Sequence, residues 1–224
     1  MKKLLAILIF GITIQIHSQI QVKLFFYNEC ENKIEKLEYD LFDLKTEKEY
    51  YSKNSIANVD SVGTFIMSAA LINEDFVKSF SKTIEIKENK KYIDTLSIPR
   101  ILFTTKTALH SDYWNYFNCN KLCNGKEIDF YPNGNKRLEG IFKNGKPLNI
   151  IYFRENGTKE SGEFYNYGEN SVKRLEYYNE NGELNEYEIH KSKKRKTIIR
   201  TFDKNDKLID KKKERHFIER TKWN

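Results

Sequence analysis

Beyond residue 16 the chain lacks any apolar run that could span a bilayer, which needs roughly 20 residues. It also holds little of what catalysis draws on: three cysteines and four histidines in 224 residues. No glycine-rich stretch reads as a phosphate cradle, and no surroundings read as an oxyanion hole. The expectation is therefore no enzyme, no cofactor and no metal site. Glycine is scarce too, at ten residues, yet half of them directly follow an asparagine. Those pairs are Asn124-Gly125, Asn133-Gly134, Asn144-Gly145, Asn156-Gly157 and Asn181-Gly182.

Asn-Gly is a strong hairpin signal because a two-residue type I′ turn needs positive φ at both central positions. The pairs also recur with aromatic partners. Phe130-Tyr131 leads to Asn133-Gly134, Tyr152-Phe153 to Asn156-Gly157, and Tyr177-Tyr178 to Asn181-Gly182. Thr201-Phe202 and Asn205-Asp206 form a degenerate last copy. Secondary turns at Gly145 and Gly168 make each unit strand, turn, strand, turn. A fixed period of this kind indicates an array whose units bury their apolar faces against neighbours.

The stretch FYPNGNKRLEGIFKNGKP (Phe130 to Pro147) resembles the variant MORN repeat: two aromatics, x-Asn-Gly, a Lys-rich strand, Gly, aromatic, x-Asn-Gly. YFRENGTKESGEFYNYG (Tyr152 to Gly168) is a second match, and YYNENGELNEYEI (Tyr177 to Ile189) a partial one without the internal glycine. The resemblance covers about residues 123–210. It implies a row of β-hairpins, and an antitoxin-like or exported protein.

The N-terminus has a short basic region, Lys2-Lys3, an apolar stretch from Leu4 to Ile16, and a polar break at His17-Ser18-Gln19. That is the pattern of a signal peptide over residues 1–18, cleaved after Ser18; an uncleaved anchor is the alternative. With no cysteine near the junction, a lipid anchor is not expected. The expected location is periplasmic or secreted, with no membrane span after cleavage.

Residues 19–100 read as a separate all-β domain. Val22, Leu24 and Phe26 alternate, as do Leu37, Tyr39 and Leu41, the pattern of half-buried strands. Further strands are expected at 64–71, 82–87 and 92–98. Polar clusters at 28–32, 54–60 and 88–90 read as turns, giving a small β-sandwich. The segment from Val59 to Ile66 resembles the Asp-x-x-Gly-x-Phe turn and strand of carboxypeptidase-regulatory-like or prealbumin-like domains, which act as spacers or docking modules. Residues 101–122 read as a linker, and 211–224 as a basic tail.

An odd cysteine count in an oxidising compartment predicts one disulfide among Cys30, Cys119 and Cys123, with one thiol left over. The alternatives are a metal site from His110, Asp112, Cys119 and Cys123, or a cysteine nucleophile with His110 as base. Tyr131, Phe153 and Tyr178 are the candidate binding residues: one member of each aromatic pair should face outward in a strip suited to protein or glycan contact. Residues 191–222 hold 14 Lys or Arg against 5 Asp or Glu. This basic end could meet an anionic lipid surface, a glycan or an acidic protein, while export argues against nucleic acid. The function expected is a non-catalytic envelope interaction protein; the runner-up is a protein that neutralises a partner toxin.

Overall fold

A computed structural model describes residues 19–106, 114–166, 171–193 and 196–215. The chain is all-β. Strands β1 (Ile20–Asn28), β2 (Lys33–Glu35), β3 (Tyr39–Asp43), β4 (Glu49–Tyr51), β5 (Ile56–Val59) and β6 (Gly63–Ile72) come first. They are followed by β7 (Phe76–Ile86), β8 (Tyr92–Ile98), β9 (Ile101–Lys106), β10 (Trp114–Asn118) and β11 (Lys121–Leu122). These eleven strands form two sheets. In the smaller, β1 pairs with β2, with β5 and, in parallel, with β8; the larger runs β11-β10-β9-β7-β6-β3-β4.

Alternation decides which residues go inside. Val22, Leu24 and Phe26 point from the small sheet toward Leu41, Phe65, Met67 and Ile84 of the large one, in one buried cluster. The Phe26 ring meets Tyr39 and Phe80 edge-on at 6.0 and 5.7 Å. The buried Tyr39 hydroxyl donates to the Val22 carbonyl at 2.8 Å, which satisfies its polar tip.

Two expectations change here. The described parts of the expected linker, 101–106 and 114–122, are strand rather than connector. β9 leaves β8 across Pro99-Arg100 and joins the other sheet by pairing with β7, so the segment helps to close the sandwich. Likewise, the polar cluster at 54–60 contains β5, which pairs beside β1 and buries Ala57 and Val59 in the core. Residues 1–18, expected as the signal peptide, lie outside the described residues, as do 107–113 and 216–224.

The second unit is one antiparallel meander in chain order: β12 (Gly125–Phe130), β13 (Lys136–Lys143), β14 (Lys146–Phe153), β15 (Lys159–Tyr165), β16 (Val172–Tyr178), β17 (Leu184–Lys193), β18 (Lys196–Asp203) and β19 (Leu208–Arg215). The part of the expected basic tail within 211–215 is its edge strand. The inner face of β13 and β14 packs on the sandwich: Leu138, Phe142 and Ile150 form one buried cluster with Ile101, Tyr116 and Cys123. At the same junction the buried Asp129 accepts hydrogen bonds from the Arg100 and Ile101 amides, at 3.1 and 3.2 Å. It also pairs with Arg137 Nη2 at 2.7 Å.

Candidate functional site

The turns of the meander obey a stricter rule than the sequence suggests. In three of them the residue four before the turn's left-handed position ends a strand, and five residues separate the strands. Tyr131, Arg154 and Asn179 each donate their amide four residues ahead, to Asn135, Thr158 and Glu183 at 2.8 to 2.9 Å. Their carbonyls accept from Gly134, Gly157 and Gly182, each at 2.9 Å. Only the glycine of each pair is left-handed, at φ 85°, 85° and 77°. This is a type I turn closed by a glycine bulge, not the expected two-residue type I′ turn. Asp206, at φ 65°, takes the glycine's place in the last copy. Asn144-Gly145 alone has positive φ at both positions, 50° and 76°. Asn124-Gly125 closes no hairpin; the Asn124 side chain accepts from the Asn144 amide at 3.3 Å and ties junction to array. The secondary turn expected at Gly168 lies outside the described residues.

The bulge turns line one rim of the sheet and bond to one another. Tyr131 Oη donates to the Phe153 carbonyl at 2.7 Å, and one repeat later Arg154 Nη2 donates to the Tyr178 carbonyl at 2.8 Å. Lys136 lies over the Phe153 ring at 5.7 Å and Lys159 over Tyr178 at 5.3 Å. Phe153 and Tyr178 thus occupy equivalent places, each under a lysine of the preceding copy. Tyr131 does not: counted back from the glycine, the match to Phe153 is Phe130, which is 46% exposed. The expected strip is out of register by one residue at its first member, and a one-residue slip moves a side chain to the other face.

The last three strands carry a different surface. Cross-strand partners share a face, so the register fixes which side chains lie together. Lys193, Lys196 and Arg215 form one row; Lys191, Ile198 and Lys213 the next; Ile189, Arg200 and Lys211 the third. All lie on the face opposite the sandwich. On this face of β17 to β19 these rows contain no acidic residue, and Asp210 and Glu214 point to the other side with Thr201 and Thr197. Rows about 7 Å apart on strands about 5 Å apart make a compact cationic lattice. Directly opposed like charges, Lys193 with Lys196, Lys196 with Arg215 and Arg200 with Lys211, each cost up to about 1 kcal/mol. The lattice is bordered by Tyr187 and Phe202, stacked at 5.1 Å, with Arg174 4.0 Å above Tyr187. Sequence alone locates the basic run but not the face, because parity across each turn depends on the bulges.

The tyrosines and acids of the inner face are arranged for packing. Tyr116 and Tyr152 hydroxyls are 3.5 Å apart, and Tyr165 donates to Glu163 at 2.6 Å. Burial pushes the Tyr116 phenol up to about 12 and drives Tyr152 and Tyr165 upward as well. Each stays protonated near neutral pH, which removes it as a base there. The carboxylates Glu139 and Glu163 lie on opposite faces, Glu139 held between Lys126 and Lys136 at 2.6 and 2.5 Å.

Cys30 and Cys119 form a disulfide between the β1–β2 and β10–β11 turns, joining the two sheets of the sandwich. Cys123 remains free and fully buried, and burial raises its thiol to about 12. Cys119 is thereby removed as ligand or nucleophile, and Cys123 is not a thiolate at neutral pH. His110 and Asp112 lie outside the described residues. Among the described residues no three His, Cys, Asp or Glu side chains are grouped to hold a metal ion. No family model matches the chain, and no curated protein matches it.

Proposed function

We propose that this chain is an exported, non-catalytic interaction protein of the bacterial envelope, of variant MORN type, that binds an acidic protein through the outer face of its last hairpins. The observation that carries the reading is the cationic lattice of β17 to β19, in which lysines and arginines are opposed to one another across three strands. Such an arrangement destabilises the sheet on its own and becomes favourable when an anionic surface covers it. Beside the lattice, the partly exposed Phe202, stacked on the buried Tyr187, adds an apolar edge. The N-terminal pattern of basic, apolar and small polar residues supports export.

The test is capture from the native envelope by the tagged full chain, beside a variant with Lys191, Arg200, Lys211 and Lys213 all changed to Glu. One near-stoichiometric acidic protein, lost with the variant and weakened steeply by salt, is the expected outcome. Equal capture by both proteins overturns the reading; salt-sensitive binding to glycan or anionic vesicles without a protein overturns the choice of partner. A captured protein whose toxicity disappears on binding would identify the role as neutralisation.

A further inference from the structure

A cleft of about 840 Å³ lies between the sandwich and the first hairpins, lined by no residue of β17 to β19. Residues 79–83 of β7 form one wall and 94–97 of β8 another; Phe103, Tyr116, Tyr152 and Phe153 lie at its base. Both walls are strand edges. β8 has β1 as its only described neighbour. β7 pairs with β6 along its whole length but with β9 only from Phe76 to Ser79.

The register identifies which backbone groups are left over. The Asn73 amide bonds to the Phe76 carbonyl at 3.0 Å, so the hydrogen-bonded positions toward β6 are the even ones from 76 to 86. Odd positions direct their N–H and C=O away from β6. Val77 and Ser79 meet β9. Ser81, Thr83 and Glu85 meet no backbone partner among the described residues, and their ladder stops where the cleft begins.

We infer that this open edge takes up a strand from another protein: an extended, uncharged peptide segment that continues the β9 ladder past Ser79 along Ser81, Thr83 and Glu85. Five residues of strand, about 17 Å, would pair all three positions. An added strand would lie about 5 Å from β7, in line with β9, so the ladder already begun at Val77 and Ser79 sets its direction and register. Charge complementarity favours an uncharged segment, because the charged groups lining the cleft balance, Lys82, Arg137 and Arg154 against Asp94, Glu155 and Glu160. Lys82 is held by Glu155 at 2.6 Å, Glu85 by Lys87 at 3.1 Å and Arg137 by Asp129 at 2.7 Å. Main-chain bonds would supply the affinity and the aromatic base a pocket for an apolar side chain. This site stands apart from the acidic-partner reading and does not depend on it.

The probe is a displayed library of random decapeptides selected on the full chain. Enriched uncharged peptides should slow amide exchange at Ser81, Thr83 and Glu85. Thr83→Pro removes a donor that β6 does not use, so it should leave the fold intact while weakening those peptides by more than about tenfold. Alternate-amide N-methylation of a selected peptide makes the same test on the unaltered chain, should the proline variant misfold. The Glu variant of the cationic lattice should bind the peptides normally, which separates this site from that one. No enrichment, or enriched peptides indifferent to both Thr83→Pro and N-methylation, overturns the inference.

Discussion

In the sandwich, Val22, Leu24 and Phe26 are covered from above by Leu41, Phe65 and Met67 of a second sheet; in the hairpin meander, Leu138, Phe142 and Ile150 are covered by Ile101 and Tyr116, which belong to the sandwich. The first unit supplies both halves of its core, and the second borrows one. What the meander has instead is local: cross-strand pairs, cations over rings, and turns bonded to the next turn. A large shared core is worth several kcal/mol per buried ring, while each of these local contacts is worth about 1 kcal/mol or less. The comparison therefore separates a unit that can stand alone from one that needs a support.

The largest effect should come from cutting the two apart. Residues 19–123 alone should unfold cooperatively, whereas 124–215 alone should show no cooperative transition by calorimetry; two cooperative transitions would break the contrast. Next, Phe26→Ala should cost about 4 kcal/mol in denaturant unfolding, against roughly 1 kcal/mol for Phe153→Ala, which is half-buried on the turn rim. Asp129→Asn tests the joint: it leaves Arg137 without its partner and should cost about 3 kcal/mol. That loss should appear in the meander's exchange rates more than in the sandwich's.

Alkaline titration reaches the sandwich core and its joint with the meander at once. Burial raises the Tyr39 and Tyr116 phenols to about 12, above an unfolded value of about 10. Stability from each is intact below pH 10 and falls as pH rises toward 12, since the unfolded chain then holds fewer protons. The loss should be on the order of 2 kcal/mol per group, smaller in Tyr116→Phe. The smallest effect is a single rim turn. Gly157→Ala meets the Asn135 side chain in ordinary contact at 3.5 Å but keeps φ at 85°, so it should cost about 1 kcal/mol and leave the sandwich untouched.

Much of this plan can be read from the residues, and the parts that cannot have a common cause. β8 spans Tyr92–Ile98 as alternation predicts, and β1 buries the expected Val22, Leu24 and Phe26. Positions of the rim glycines are legible because positive φ favours glycine. Their turn type is not, since five residues rather than two separate the strands they join. After identical turns, spacing decides the face. Gly140 and Phe142 follow Gly134 by an even count and face the sandwich, while Gly162 and Phe164 follow Gly157 by an odd count and face away. The strand character of 101–106 is hidden because the partner of β9, β7, lies in another part of the chain. The cationic lattice is hidden for the same reason: seven basic residues are visible in the sequence, but only the register gathers them on one side.

β19 has β18 as its single described neighbour, and all of its residues are exposed. A meander built by adding hairpins in chain order has no geometric stop, so nothing in its shape forbids a ninth strand from another molecule. The stop is chemical. Lys211, Lys213 and Arg215 make a like-charged end cap, and its strength depends on the medium. Polymerisation of the protein should therefore behave as a colloidal equilibrium, negligible in dilute buffer and advancing as salt or a polyanion screens the cap. The length of the array is then a property of solution conditions as much as of the gene that encodes it.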